Sequence, residues 1–104
     1  MDRRRHAPAA ERNREPILGV LRRVLPTRGT VLEIASGSGQ PVAHSAAALP
    51  ELTFQPTDRS DQDFASITAW CADAGLRNVR APVVLDVTSD PWPAAIGIVD
   101  AIFN

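Results

Sequence analysis

The sequence predicts an α/β fold in which a mostly parallel sheet is flanked by helices. Short apolar runs alternate with segments of helical periodicity along the 104 residues, as in parallel strands joined by crossover helices. The run Val31–Gly39, VLEIASGSG, breaks from an apolar strand into a glycine turn before a helix. Asp58 and Asp86 follow the second and third apolar runs. Together these observations indicate a Rossmann-like sheet of about four strands.

The first helix is predicted from about Ala9 to Leu25, after a disordered basic tail of residues 1–8. Pro16 is tolerated only in a first turn, so the helix either begins at residues 13–15 or kinks there. Arg14, Arg22 and Arg23 lie on the polar face. Helical spacing gives one apolar face, made of Ile17, Leu18, Leu21, Val24 and Leu25.

The first strand is predicted over Val31, Leu32, Ile34 and Ala35, before the turn Ser36–Gly39. Glycines permit tight turning, and the first N–H groups of the following helix point towards whatever binds there. That second helix is predicted over Val42–Leu49, with Pro41 in its first turn, where the missing N–H costs little.

The rest of the chain alternates in the same way. The second strand is predicted over Leu52–Thr57, with Pro56 near the end of regular pairing. A capping-box-like run, Ser60–Asp63, opens the third helix. Its inward face is predicted to hold Phe64, Ile67, Trp70, Cys71 and Ala74, and Gly75 ends it. The third and fourth strands are predicted over Val79–Val87 and over Ile96–Phe103, the latter interrupted by Asp100.

Composition restricts the class of protein. A chain of this length forms one domain at most. No apolar run approaches the length of a membrane span, and no secretory signal follows the basic start. The single cysteine, Cys71, fits a reducing compartment, so we expect a cytoplasmic protein. Two histidines and one cysteine, widely separated, predict no metal site.

Charge is distributed unevenly along the chain. Residues 1–28 carry eight of the eleven basic groups and only three acids, whereas the remainder is acidic. A basic arm can indicate a nucleic acid or an anionic membrane. No aromatic residue is interleaved with these arginines, which argues against a nucleic-acid partner. We interpret them as a frayed tail and the solvated face of a helix.

Ligands of open parallel sheets bind beyond the carboxyl ends of the strands. Asp58 follows Gly37 by 21 residues, a spacing at which a carboxylate can accept bonds from ribose hydroxyls. Asp86, with the N–H of Val87, is placed to meet an adenine amino group. This is a nucleoside-binding pattern. The residues at the predicted strand ends are Ala35, Ser36, Gly37, Ser38, Gly39, Asp58, Arg59, Asp86, Val87 and Asn104.

Two cofactors compete for this pattern. A dinucleotide fingerprint requires a third glycine where Val42 stands. The alternative is Glu33-x-Ala35-x-Gly37-x-Gly39, which resembles the acidic-x-Gly-x-Gly-x-Gly motif of class I methyltransferases that use S-adenosylmethionine, with alanine replacing the first glycine. Asp58, Asp86 and Asp100, expected at the matching strand ends, support the second match.

The resemblance extends over residues 7–104. The runs APAAERNREPIL (residues 7–18) and LEIASGSGQ (residues 32–40) are similar to those of a little-characterised family of candidate methyltransferases. That family includes methyltransferase-like protein 26 and bacterial proteins formerly grouped as a domain of unknown function. Pro41 and Ser45 depart from it, since a histidine and an aromatic residue are expected there.

The resemblance implies the roles of individual residues in binding S-adenosylmethionine. Gly37, Ser38 and Gly39 would approach the methionine moiety and ribose, while Glu33 would order the turn or reach the ligand amino group. The remaining roles implied are ribose binding by Asp58, adenine binding by Asp86 with Val87, proximity to the methyl group for Asn104, and a lid formed by Arg12 and Asn13.

The resemblance also implies that residues 9–104 are the N-terminal, cofactor-binding half of a class I methyltransferase fold, which continues beyond Asn104 in the family. No general base is evident, and neither the methyl acceptor nor the oligomeric state is specified. Two other functions stay open: an NAD(P)-dependent oxidoreductase, and a catalytically inactive module that binds a partner.

Overall fold

A computed structural model describes residues 3–6, 16 and 18–103. The predicted lid residues, Arg12 and Asn13, lie outside this part of the chain, as do Asn104 and much of the predicted first helix. The elements in chain order are α1 (residues 18–24), β1 (Gly29–Glu33), α2 (Gln40–Ala48), β2 (Leu52–Asp58), α3 (Phe64–Asp73), β3 (Val83–Val84), a 3-10 turn (Ala94–Ile96) and β4 (Ala101–Phe103).

The four strands form one parallel sheet in the order β3-β2-β1-β4. This confirms the predicted α/β fold with a parallel, Rossmann-like sheet and flanking helices. The chain builds outward from β1 to β3 and then returns to place β4 on the other side of β1. The direction of winding therefore reverses between β1 and β4, and crevices at such points bind ligands in this class of sheet.

Side chains of β1 alternate between the two faces of the sheet, as the pleat requires. Val31 packs on one face with Val42 of α2 and Ile67 of α3. Leu32 packs on the other face with Leu85 and Ile96 from the long segment that follows β3. Helices therefore cover one face, whereas loop residues cover the other around Leu32.

The predicted apolar face of α1 is confirmed only in part. Leu18 and Leu21 are buried, but Val24 is 68% exposed. Helix α3 begins at Phe64, after the predicted capping run, and the Asp63 carboxylate binds Arg5 instead of capping the helix. None of the helices in the described part of the chain is both long and apolar enough to cross a bilayer.

Pro56 forms the last pair of the β1–β2 ladder, opposite Glu33, near the end of pairing as predicted, while β2 continues to pair with β3 at Thr57 and Asp58. The carbonyls of Pro56 and Ala81 each accept a hydrogen bond from the side-chain amide of Gln55, at 2.9 Å. This amide supplies N–H donors at the edge between β2 and the approach to β3, where Pro56 and Pro82 have none, which explains a glutamine that is only 1% exposed. Nothing in the sequence pattern indicates that the Gln55 side chain takes this role.

Strands β3 and β4 are shorter than predicted. Val79 forms only an isolated bridge with Phe54, and Pro82 interrupts the ladder before β3 because it has no N–H. Asp100 precedes β4, and its carboxylate accepts a hydrogen bond from the N–H of Thr30 at 2.8 Å. The expectation that Asp100 marks a carboxyl strand end is therefore wrong; it joins the amino ends of β4 and β1.

Candidate functional site

A glycine-rich turn connects the carboxyl end of β1 to α2. β1 ends earlier than predicted, at Glu33, because Ala35 adopts a left-handed conformation with φ of 59°. Ser36 then fixes the turn to β2: its N–H donates to the Thr57 carbonyl at 2.8 Å, and its Oγ accepts from the Thr57 N–H at 3.1 Å. The Thr57 hydroxyl also donates to the Glu33 carbonyl at 2.7 Å, so three hydrogen bonds connect Thr57 to the turn and to the end of β1.

The two glycines of the turn are used differently. Gly37 has φ of 57°, and a Cβ atom built on it would meet no atom within 4 Å. Gly39 has φ of 87° and lies against α3, so a Cβ atom there would overlap the Cα of Ile67. Gly37 therefore faces open space where a ligand can approach the backbone, whereas Gly39 allows α2 and α3 to meet.

Asp58 is placed at the turn, as its spacing from Gly37 predicts. Its Oδ2 accepts a hydrogen bond from the Gly37 N–H at 3.0 Å, and its Oδ1 accepts from the Arg59 N–H at 2.7 Å. The side chain is half-buried, and Arg59 is exposed beside it. The carboxylate thus stands between the end of β2 and the turn, where it can also accept hydrogen bonds from a ligand's hydroxyl groups.

Glu33 is the buried acid of the site, only 7% exposed. Its Oε1 has no hydrogen-bond partner among the described residues. Desolvation raises the pKa of Glu33 to about 7; a hydrogen bond from Ser36 lowers it, and the charge of Asp58 raises it. A buried carboxyl with an unsatisfied oxygen is the type of group that binds a cation or a hydrogen-bond donor.

Asp86 lies beyond β3 in an exposed turn. Its Oδ1 accepts hydrogen bonds from the Thr88 N–H at 2.9 Å and from the Thr88 hydroxyl at 2.7 Å. These bonds, and then the charge of Arg59, hold the pKa of Asp86 below its usual value. Val87 is exposed, and its carbonyl accepts a hydrogen bond from the Trp92 indole at 3.3 Å. The Asp86 side chain therefore stabilises its own loop.

Cys71 is not a candidate nucleophile. Burial, and to a lesser extent the charge of Glu33, raises the pKa of its thiol to about 11, so the thiol stays protonated at neutral pH. Among the described residues, no group of three or more metal-ligating side chains is present.

One contact of the turn was not predicted from the sequence. The hydroxyl of Ser66, on α3, donates a hydrogen bond to the Ser38 carbonyl at 2.7 Å, and Ser66 is only 4% exposed. The apolar pattern of α3 includes Ile67 but gives no reason to single out a serine next to it. Only the packing of α3 against the turn brings these two residues together.

We expect Ala35→Gly to stabilise the protein by about 1 kcal/mol. Alanine at positive φ carries a strain of about 1–2 kcal/mol, and glycine removes it at some cost in unfolded-state entropy. Urea denaturation measures the change. The matched control is Ala72→Gly, at an exposed position within α3, which should instead lose about 1 kcal/mol. Equal losses in both variants would contradict the left-handed conformation of residue 35.

Comparison with solved structures supports the fold. The crystal structure of YjhP from E. coli matches with a TM-score of 0.62 and 24% sequence identity, over 80% of this chain. This chain spans only 33% of the YjhP chain. The likeness at this level of identity shows a shared fold. In sequence, residues 4–104 match the family described as "Protein of unknown function (DUF938)". Since that match covers nearly the whole chain, the protein belongs to the DUF938 family.

Proposed function

We propose that this chain supplies the cofactor-binding half of an S-adenosylmethionine-dependent methyltransferase. The observation that carries the proposal is the 3.0 Å hydrogen bond from the Gly37 N–H to Asp58. It puts the acid that follows β2 directly beside the open glycine of the turn. A ligand with a ribose at Asp58 would then extend along the turn towards the end of β1.

The buried acid supports a cationic ligand group at the inner end of this site. S-adenosylmethionine carries an ammonium group, and the unsatisfied Oε1 of Glu33 is a suitable acceptor for it. The residues present therefore fit this cofactor: Glu33 for the amino group, Gly37 and Ser38 for the methionine chain, and Asp58 for the ribose. Arg59 and the loop of Asp86 and Val87 would border the adenine.

Bound here, the cofactor supplies a methyl group on a positively charged sulfur, which an acceptor nucleophile displaces directly. The chain's own residues contribute alignment, which is the main source of rate in such a transfer. Asp58 and the turn would hold the ribose end, and Glu33 would hold the amino end. Arg12 and Asn13, predicted as a lid, and Asn104, predicted to lie near the methyl group, are outside the described residues, and their roles stay predictions from the family resemblance.

The dinucleotide alternative is disfavoured by Val42. The third glycine of that fingerprint lets the helix pack closely on the strand, whereas Val42 is fully buried and belongs to the core between α2 and the sheet. A catalytically inactive module that binds a partner keeps the same fold, and a purified chain whose melting temperature does not rise with cofactor would favour it. We also propose a cytoplasmic location, which the single cysteine, Cys71, supports because it fits a reducing compartment.

Isothermal titration calorimetry with S-adenosylmethionine tests the proposal. The wild-type chain should bind this cofactor, and Asp58→Asn should weaken binding by about tenfold or more, since it removes a charged acceptor of hydrogen bonds. Asp61→Asn is the matched control, because it makes the same change of charge at an exposed residue and should leave the affinity unchanged. Binding of NADH without binding of S-adenosylmethionine would support the oxidoreductase instead.

A further inference from the structure

Residues 3–6 lie along one face of α3, and we call them the strap. The partners of the strap are spaced along one side of α3 and its N-cap, at Asp63, Ser66, Trp70 and Asp73. The guanidinium of Arg5 binds Asp63 at 2.8 Å, and that of Arg4 binds Asp73 at 2.7 Å. A tail predicted from sequence to be disordered therefore has defined partners at these positions, because its charges complement acids that are distant in sequence.

Trp70 anchors the centre of the strap. Its indole N–H donates to the Arg5 carbonyl at 3.0 Å. The Arg4 guanidinium lies 5.0 Å from the centre of the indole, and the His6 ring meets the indole edge-to-face at 5.0 Å. Cation–π and aromatic contacts of this kind add modest attraction to each hydrogen bond.

A buried hydroxyl connects the strap to the glycine turn. The Arg5 N–H donates to Ser66 Oγ at 2.8 Å, and the Ser66 hydroxyl in turn donates to the Ser38 carbonyl at 2.7 Å. In such a chain each bond polarises the next, so the two bonds strengthen each other. The Ser38 side chain accepts from the Gln40 N–H at 3.3 Å, which continues the connection to the start of α2.

The two ion pairs of the strap are only partly buried. Asp73 is 60% exposed in its pair with Arg4, and Arg5 is 55% exposed in its pair with Asp63. Exposed ion pairs contribute little individually, and salt screens them. Salt should therefore weaken the docking of residues 3–6, in addition to any effect on their hydrogen bonds to Ser66 and Trp70.

We propose that the strap is a positioning device for the ligand-binding turn, with Ser66 as the positioning residue. Docking of residues 3–6 on α3 orders the turn at Ser38, and a ligand bound at the turn favours the docked strap by the same factor. The identity of the ligand as S-adenosylmethionine rests on the proposed function; the coupling between the strap and the turn does not.

Amide hydrogen exchange of the turn tests this coupling without a ligand. The reporters are Gly37, Gly39 and Gln40, whose N–H groups are hydrogen-bonded within the site. Ser66→Ala should raise their exchange rates about two- to tenfold, the factor expected for the loss of one hydrogen bond. Thr68→Ala removes a hydroxyl from an exposed position of the same helix and should leave these rates unchanged.

A second pair of variants isolates the backbone contact. Arg5→Ala removes the ion pair with Asp63 but keeps the N–H that donates to Ser66, whereas Arg5→Pro removes both. Arg5→Pro should reproduce the effect of Ser66→Ala on the turn in full, whereas Arg5→Ala, which keeps the backbone donor, should do so only in part. Strap docking is measured independently by acrylamide quenching of Trp70 in a Trp92→Phe background, and quenching should increase in Arg5→Pro and at about 1 M NaCl.

The proposal is overturned if the turn amides exchange equally in Ser66→Ala and Thr68→Ala, or if Trp70 is quenched equally in wild type and Arg5→Pro. Addition of S-adenosylmethionine distinguishes the two proposals. If it binds, it should reduce quenching of Trp70, and Ser66→Ala should weaken its binding about two- to tenfold. If S-adenosylmethionine does not bind but the exchange rates change as expected, the proposed cofactor is wrong, whereas the coupling between the strap and the turn is supported.

Discussion

Replacing Gly39 by alanine should destabilise the protein by about 2–5 kcal/mol. Left-handed backbone costs a residue with a Cβ atom about 1–2 kcal/mol, and overpacking typically adds about 1–3 kcal/mol. At φ of 87°, the new atom would overlap the Ile67 Cα and come within 2.9 Å of its Cγ1. Because the nearest atom is the Cα of Ile67, truncating the Ile67 side chain cannot relieve the overlap. Helix α2 must therefore move away from α3. Urea denaturation measures the loss.

Gly37→Ala is the matched control for this effect. Its φ is also positive, at 57°, but a Cβ atom there meets no atom within 4 Å. It should cost only the backbone strain, about 1–2 kcal/mol. Equal losses for the two variants would show that α3 does not approach the turn at Gly39. A Gly39→Val variant that folds and keeps its affinity for S-adenosylmethionine would contradict the proposed site.

The glycine turn and the position of Asp58 beside it can both be predicted from the sequence. The sequence predicts a glycine turn after β1, because only small residues suit such a break from an apolar strand. It also predicts that Asp58 lies near Gly37, since the lengths of a strand, a helix and a second strand determine where the chain returns to the same edge of the sheet. Both are consequences of local pattern and regular geometry, and the structure places both residues as expected.

The differences arise where contacts are distant in sequence. The amide of Gln55 supplies a donor next to Pro56, and Asp100 binds Thr30 across the sheet. Asp86 is used by its own turn at Thr88, although its position after an apolar run is the same as that of Asp58. Position after a strand therefore indicates which acids lie near the site, but local hydrogen bonding decides which of them is available to a ligand.

Glu33 should make the free energy of unfolding fall as the pH rises, opposite to the effect of a carboxyl group whose pKa is lowered on folding. Its pKa is about 7 in the folded protein, against 4.5 for an unperturbed carboxyl. Between these values the folded protein retains a proton that the unfolded chain releases. Stability is thus greatest below pH 4.5 for this group, falls by about 3 kcal/mol as the pH rises to about 7, and is constant above that.

Glu33→Gln should remove this dependence, since the amide is neutral at every pH. The variant should be more stable than wild type at about pH 8, by up to about 3 kcal/mol, and should match it in acid. Urea denaturation at a series of pH values tests this, with the exposed Glu51→Gln as control. A wild-type slope that persists in Glu33→Gln would assign the titration to another group.

The same carboxyl gives the proposed cofactor a pH signature. A ligand ammonium beside Glu33 favours the carboxylate, so binding should release a proton and the affinity for S-adenosylmethionine should rise as the pH passes through about 7. Calorimetry in buffers of different ionisation enthalpy measures the released proton directly. In Glu33→Gln both effects should disappear and affinity should fall, whereas a purely structural Glu33 would leave proton release at zero in wild type as well.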